Sequence, residues 1–432
     1  MNKKRFFPCI CLITGIALIS SCTLDEPNSS NFVYPITLQA HQDYSLITLS
    51  WTPVNTTDFK EYIILQSSQE IPESPEPVIS ADVAIVKRID DSDITSFLTS
   101  DIRLSPNVCY KVYASIGDRF LQSSSICVQQ DFNIISGFYD RVAHENGLDE
   151  IVMFDRVNQR MSTYNYNTEV ITNSLNESFF SFPILEISTY SGTTNAFAFD
   201  QSPPRLRKYS FPELEASLYK DFSAVLFAAK TYNQYIFASV EEWGNSFKVL
   251  NRSNFNEVDT EEGLLGNRNI AVFPGDPLIV LEVGDQGMIK YNIDSNGKIT
   301  KVDSKTIGVV QPGTQNTTAQ GTELFIAGRQ GDVLDRNGNK VGALTNSLNS
   351  FVFMSRLSED EKKVAYVVSD NVNVRLEIAD ISNPAHISRL TSFNVPNANY
   401  ADLIIDDEVL YLIGVSFDSG QAQTFILKYP MP

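Results

Sequence analysis

Few side chains in this sequence have the type and spacing that catalysis requires. The chain of 432 residues contains three histidines, His41, His144 and His386, far apart in the sequence. A catalytic triad or a zinc site needs a histidine with partners, and His144 has Glu145 and Asp149 nearby. Three such residues in one loop are common by chance, and the G-x-S-x-G, H-E-x-x-H and phosphate-loop motifs are missing from the sequence. We therefore predict no catalytic residue, no metal site and no cofactor.

Two acidic turns resemble the start of a calcium-binding loop. They are DSNG at 294–297 and DRNG at 335–338. Both lack the remaining ligands of such a loop, including the distal glutamate. Because Asp, Asn and Gly also favour tight turns between strands, we predict two hairpin turns.

The first residues have the pattern of an export signal. Residues 3–5 are basic, and residues 6–19 are apolar apart from Thr14. This run is shorter than the roughly 20 residues of a membrane-spanning helix. It ends in ISSC at 19–22, which resembles the bacterial lipobox. The resemblance implies removal of residues 1–21 and lipidation of Cys22; a plain secretory signal or a buried N-terminal helix are the alternatives.

Residues 22–33 are polar and predict a flexible tether behind the lipidated cysteine. In some Gram-negative lineages, acidic residues such as Asp25 and Glu26 at this place mark export to the cell surface. We expect a protein attached to the outer membrane by its lipid and exposed on the surface, with a periplasm-facing orientation as the alternative. The formal charge of −19 would become −22 without the three basic residues of the signal, which argues against binding to nucleic acid.

Two cysteines remain beyond the N-terminal segment. Cys109 and Cys127 flank a hairpin-like stretch with its turn near 116–119. If Ile116 pairs with Phe120, the two cysteines lie opposite each other. An exported protein can keep a disulfide, so we predict this bridge; two small buried side chains are the alternative.

Residues 34–130 show the apolar alternation of short β-strands. ITLSWTPV places Trp51 at the end of an early strand, and LSPNVCYKVYA places Leu104, Pro106 and Tyr110 before a late one. Together these segments resemble the fibronectin type III domain, an immunoglobulin-like β-sandwich. The resemblance implies that Trp51 and Tyr110 belong to the core and that the module is a spacer or a docking surface.

Residues 131–432 contain a weak internal repeat. Strongly apolar strands begin at 151, 195, 235, 278, 324, 364 and 409, separated by 44, 40, 43, 46, 40 and 45 residues. A second strand follows each after a short turn. This period, with several strands in each unit, is typical of a β-propeller, so we predict seven blades; two stacked sandwiches are the alternative. The last blade lacks an outer strand, which residues 127–135 could supply.

One repeat resembles a known propeller family. In residues 353–381, SEDEKK at 358–363 precedes the strand VAYV at 364–367. This is similar to the repeat of TolB-like propellers, in which S-P-D-G-K-K precedes such a strand. Glutamates replace the Pro and Gly of that turn. Together with the seven repeats, the resemblance implies an all-β protein with a seven-bladed propeller of the TolB-like or YVTN-like kind.

Propellers usually bind through the loops at one face, because the ring holds these loops in place. Aromatic residues in such loops are candidates for stacking on sugars or anchoring a protein partner. We select Trp243, Phe180, Tyr400 and Phe417 as candidate ligand-binding residues; packing over the blade edges is the alternative for each.

These observations predict a binding or scaffold protein of the cell envelope. Its expected partners are the membrane, through the lipid, and a glycan or an envelope protein. An exported polysaccharide lyase or hydrolase is the alternative function, and it would need a cluster of carboxylates or histidine at the mouth of the channel. A purely structural spacer is a third interpretation.

Overall fold

We analysed a computed structural model of the chain, in which almost all regular structure is β-strand. It describes residues 35–100, 105, 107–130, 132–178, 183–201, 203–242, 244–264, 268–284, 287–305, 319–347, 349–370, 373–418 and 421–432. The predicted signal peptide, Cys22 and the tether lie outside the described residues. These residues form 36 strands and a short 3-10 helix, Pro384–His386.

Two antiparallel sheets form the first part of the chain. One has the order β1-β2-β5, and the other has the order β4-β3-β6-β7 with β8 also paired to β6. The strands are β1 (Leu38–Asp43), β2 (Leu46–Trp51), β3 (Phe59–Ser67), β4 (Val83–Ile89), β5 (Ser96–Thr99), β6 (Asn107–Ile116), β7 (Arg119–Gln122) and β8 (Ile126–Gln129). Their facing apolar side chains share one cluster that includes Trp51, Tyr62 and Tyr110. Trp51 and Tyr110 are buried, as expected of core residues, whereas Leu104 and Pro106 lie outside the described residues.

A disulfide joins Cys109 on β6 to Cys127 on β8. The register of the neighbouring hairpin differs from the prediction, because Ile116 pairs with Arg119 instead of Phe120. The break between β7 and β8 absorbs the difference of one residue. Cys127 therefore still lies opposite Cys109.

Within the described residues, the rest of the chain forms seven four-stranded antiparallel sheets. Sheet 1 contains β10 (Tyr139–Ala143), β11 (Glu150–Asp155), β12 (Arg160–Asn165) and β13 (Val170–Asn176). Sheet 2 contains β14 (Ile184–Tyr190), β15 (Thr193–Gln201), β16 (Pro204–Ser210) and β17 (Ala216–Asp221). Sheet 3 contains β18 (Val225–Tyr232), β19 (Tyr235–Glu242), β20 (Gly244–Asn251) and β21 (Glu257–Glu262). Sheet 4 contains β22 (Arg268–Phe273), β23 (Leu278–Gly284), β24 (Gly287–Ile293) and β25 (Ile299–Lys305).

The remaining three sheets follow the same order. Sheet 5 contains β26 (Ala319–Gln320), β27 (Leu324–Ala327), β28 (Asp332–Asp335) and β29 (Lys340–Ala343). Sheet 6 contains β30 (Phe351–Leu357), β31 (Lys363–Ser369), β32 (Val374–Asp380) and β33 (Ser388–Asn394). Sheet 7 contains β34 (Asn399–Asp406), β35 (Val409–Asp418), β36 (Gln421–Pro430) and, as its fourth strand, β9 (Asn133–Ser136).

The strongly apolar strands of the repeat are the second strands of the sheets, and both of their faces are buried. On β11, Ile151 and Met153 pack toward sheet 7, whereas Val152 and Phe154 pack toward sheet 2. Similar apolar clusters fill each of the five remaining interfaces between consecutive sheets. The seven sheets thus form a closed circle, an arrangement consistent with a β-propeller.

The circle closes through a strand from the N-terminal side. The closing strand is β9 at 133–136, which overlaps the predicted segment 127–135 only at its end, because residues 126–129 remain in the first part as β8. Thr424 on β36 strengthens the closure: its hydroxyl accepts from Tyr139 N at 2.9 Å and donates to Gly137 O at 2.9 Å. The outer edge of β36 is therefore paired with β9 and not left open.

The first part of the chain contacts the circle at the end of β36. Ser45, between β1 and β2, donates from its backbone N to Lys428 O at 2.9 Å, and its hydroxyl oxygen accepts from Lys428 N at 2.9 Å. Leu46 joins the apolar cluster between sheets 6 and 7. This junction lies on the side of the circle where the first strands of the sheets end.

Candidate functional site

The first strands of the seven sheets, here called the inner strands, surround a central cavity of about 620 Å³. All seven contribute lining residues. Charged and polar side chains form part of this lining: His144 and Glu145 follow the carboxyl end of β10, Arg356 is the last residue but one of β30, and Glu186 and Asp402 lie within β14 and β34. We call this group, Arg356, His144, Glu145, Glu186 and Asp402, the polar mouth of the cavity.

At the polar mouth, Arg356 reaches from β30 past sheet 7 to the residue that follows β10. Its Nη2 lies 3.0 Å from His144 Nδ1 and 3.5 Å from the His144 carbonyl oxygen. The other ring nitrogen, Nε2, lies 3.2 Å from Leu148 O. Because a guanidinium only donates hydrogen bonds, Nδ1 accepts from Arg356 and Nε2–H donates to Leu148.

This environment keeps His144 neutral. Burial, together with the neighbouring charge of Arg356, lowers the pKa of His144 to about 3. Since both ring nitrogens are engaged, the imidazole has no free lone pair with which to accept a proton from a substrate. His144 therefore holds the guanidinium of Arg356 in place and is not poised for acid–base chemistry.

Asp402, on β34, lines the same cavity. Burial raises the pKa of its carboxyl group, and the charge of Arg356 opposes that shift. Its Oδ1 accepts from Leu403 N at 2.8 Å. Burial is the larger effect, so the pKa of Asp402 stays above its usual value although Arg356 and Leu403 N favour the charged form.

Two glutamates of the polar mouth tie neighbouring sheets together. Glu145 accepts from the backbone N and the hydroxyl of Thr189, both at 2.9 Å. Glu186 accepts from Thr231 N at 2.7 Å and from its hydroxyl at 2.9 Å, and it pairs with Lys230 at 3.0 Å. These carboxylates therefore have structural partners already.

A different kind of surface lies at the opposite end of the inner strands. The side chain of Phe417 is 64% exposed and stacks on the buried ring of Phe138, with 4.8 Å between ring centroids and an interplanar angle of 27°. The guanidinium of Arg156 lies 5.1 Å from the centroid of the Phe138 ring and 3.3 Å from Asp140. We call Phe417, Phe138 and Arg156 the aromatic platform.

Of the other candidate ligand-binding residues, Trp243 and Phe180 lie outside the described residues. Tyr400 is partly buried against the cluster between sheets 6 and 7. Its hydroxyl donates to Pro396 O, and its ring meets Phe425 edge-on at 6.4 Å. The described structure thus brings Phe417 to an exposed surface and packs Tyr400 between sheets 6 and 7.

The other residues considered for chemistry are dispersed. His41 lies exposed on β1 and His386 at the end of the 3-10 helix. In both acidic turns the first aspartate caps a hairpin, as predicted: Asp294 Oδ1 accepts from Asn296 N and Asp335 Oδ1 from Asn337 N, each at 2.8 Å. Across the described ranges, no group of three His, Cys, Asp or Glu side chains is placed to hold a metal ion.

Comparisons with known proteins bear on the fold alone. A chain of the structure titled "Crystal Structure of Mitotic Checkpoint Complex" matches with a TM-score of 0.51 at 10% identity, covering 68% of this chain and 92% of that one. Neither a known protein family nor a curated protein matches the sequence. In the part of the chain that is described, no helix has the length and apolar character needed to cross a membrane.

Proposed function

We propose that the protein is a lipoprotein of the outer membrane that presents a binding surface at the cell exterior. In this proposal Cys22 carries the lipid, residues 22–33 are the tether, residues 34–130 form a fibronectin type III-like sandwich, and residues 131–432 form a seven-bladed propeller. The lipobox-like sequence supports the anchor. The two facing sheets and the circle of seven sheets support the two domains.

The position of the junction supports the proposed orientation. Ser45 contacts Lys428 on the side of the polar mouth, whereas Phe417 lies at the opposite end of the inner strands. A lipid attached ahead of the first domain would therefore leave the aromatic platform directed away from the membrane.

The observation that carries the binding function is the exposed ring of Phe417. Exposed aromatic side chains stack on sugars and anchor protein interfaces. The stacking on Phe138 fixes the ring in advance, which lowers the entropy that binding costs. The expected ligand is a glycan or a protein of the envelope.

The geometry gives less support to an exported lyase or hydrolase. A cluster with His144 and Asp402 does exist at the polar mouth. However, both nitrogens of His144 are engaged, and Glu145 and Glu186 are bonded to threonines. Because these groups already have partners, the polar mouth gives little support to catalysis, and the exposed aromatic platform favours a binding function.

Replacing Phe417 by alanine tests the binding function. We expect ligand capture to fall by about tenfold or more, the effect of losing an aromatic anchor. Stability should fall by no more than about 1.5 kcal/mol, the contribution of the stacking on Phe138. The measurement uses glycan arrays and pull-downs from envelope extract. Tyr219→Ala is the matched control, because Tyr219 is 69% exposed on the outer strand of sheet 2. If Phe417→Ala retained full capture, or if neither assay found a ligand, the proposal would fail.

Replacing Cys22 by serine tests the anchor separately. We expect the protein to move from the membrane fraction to the soluble fraction, because a serine cannot accept the thioether-linked lipid. Cys9→Ser, a change within the segment proposed to be removed, should leave the protein in the membrane fraction. Fractionation of cells that express each variant decides the matter, and a Cys22→Ser protein that still sediments with membranes would contradict the anchor.

A further inference from the structure

The polar mouth contains a positive charge whose direct side-chain partner is neutral. Arg356 Nη2 contacts His144, which stays uncharged because burial and the guanidinium itself lower its pKa. Among the described residues, no carboxylate forms an ion pair with Arg356, and Asp402 acts on it only through its charge. Such a guanidinium, held in a cavity, is available to bind an anionic group.

The other charges of the mouth limit which anion would fit. The cations Arg141 and Lys230 also line the cavity, and Lys230 is paired with Glu186. Carboxyl groups nevertheless outnumber the cations, because Glu145, Glu186, Glu359, Glu361 and Asp402 all line the cavity. This excess of carboxyl groups would repel a doubly charged phosphate. A sugar acid avoids most of this repulsion, because it carries a single carboxylate and several hydroxyl groups, and hydroxyl groups donate to carboxylates. The volume of about 620 Å³ lies within the range of small-ligand pockets.

We propose that the polar mouth binds a sugar acid, with the ligand carboxylate on the guanidinium of Arg356 and ligand hydroxyl groups directed to Asp402. His144 acts as a positioning residue that orients Arg356. This site and the aromatic platform lie toward opposite ends of the inner strands, and the site depends on neither Phe417 nor the lipid.

Calorimetric titration of the purified protein with galacturonate tests the site. We expect saturable binding of galacturonate and binding of galactose at least about tenfold weaker, because galactose lacks the carboxylate that forms the charge-assisted hydrogen bond with Arg356. We expect no saturable binding of inorganic phosphate, because the carboxyl groups of the cavity repel it. Equal binding of galactose, tighter binding of phosphate, or no binding of galacturonate would each overturn the proposal.

Variants of Arg356 and His144 locate the site. Arg356→Gln should weaken galacturonate binding by about tenfold or more, whereas Arg389→Gln, an exposed arginine on the outer strand of the same sheet, should not. His144→Leu should weaken binding, and His144→Gln should restore it, because glutamine can both accept from Arg356 and donate to Leu148. Unchanged affinity in Arg356→Gln, or equal affinities in the two His144 variants, would contradict the assigned roles.

The two proposals fail separately. Phe417→Ala should leave galacturonate binding unchanged, and Arg356→Gln should leave the capture of envelope partners unchanged. A protein that binds galacturonate but captures no partner would refute the function of the aromatic platform alone. Loss of galacturonate binding in Phe417→Ala would instead refute the separate site.

Discussion

Replacing Thr424 by valine is expected to destabilise the circle of seven sheets by about 2–4 kcal/mol, the cost of leaving two buried backbone groups without partners. The Thr424 hydroxyl accepts from Tyr139 N and donates to Gly137 O, each at 2.9 Å. Thr424 and Tyr139 are fully buried. Valine has nearly the same shape as threonine, so the loss concerns hydrogen bonding and not packing. Urea unfolding followed by circular dichroism measures the change.

The matched control for this prediction is Thr424→Ser. Serine keeps the hydroxyl and loses one methyl group, so it should cost about 1 kcal/mol. The order of stability should be wild type, then serine, then valine. If the valine variant were as stable as the serine variant, the hydrogen bonds at the closure would contribute little. The closure would then depend on the pairing of β9 with β36 alone.

Removing the disulfide is expected to destabilise the two sheets of the first part of the chain by about 3 kcal/mol, because the cross-link restricts the unfolded chain between cysteines 18 residues apart. The bridge also holds β8, a strand of four residues, on the edge of β6. The change to make is Cys109→Ala together with Cys127→Ala. The measurement is urea unfolding, in which the midpoint for the unfolding of these two sheets should shift to a lower urea concentration.

A reductant provides the control for the disulfide. Cys127 is exposed, so dithiothreitol should reach the bridge and lower the stability of the wild type to that of the double variant. The same reagent should not affect the double variant. A wild type whose unfolding does not change on reduction would show that the native contacts of β8 suffice without the bridge.

Periodicity predicted the repeated strands because of how the sheets are buried. A strand between two neighbouring sheets has both faces covered, so it appears in the sequence as a continuous apolar run. Ile151 to Phe154 is such a run, with alternate residues in two different clusters. The strong strand of each repeat could therefore be located without coordinates. The first strands that line the cavity carry mixed polar residues, and they gave no comparable signal.

The candidate sites were less predictable, and for a physical reason. His144 and Arg356 are 212 residues apart in sequence, and only closure of the circle brings the ends of β10 and β30 together. In the sequence, His144 has Glu145 and Asp149 as neighbours. The structure instead pairs Glu145 with Thr189 and His144 with Arg356. Phe417 lies near the end of strand β35 and not in the predicted loop, and its stacking on Phe138 depends on the same closure.

Local patterns in the sequence thus determined the all-β character, the seven repeated units and the two acidic hairpin turns, because each depends on residues close together in the chain. The tertiary structure decided the break before β8, the length of the closing strand and the composition of the polar mouth. These features depend on which residues meet when the last sheet pairs with β9. Contacts between residues far apart in sequence leave no periodic trace in a single chain.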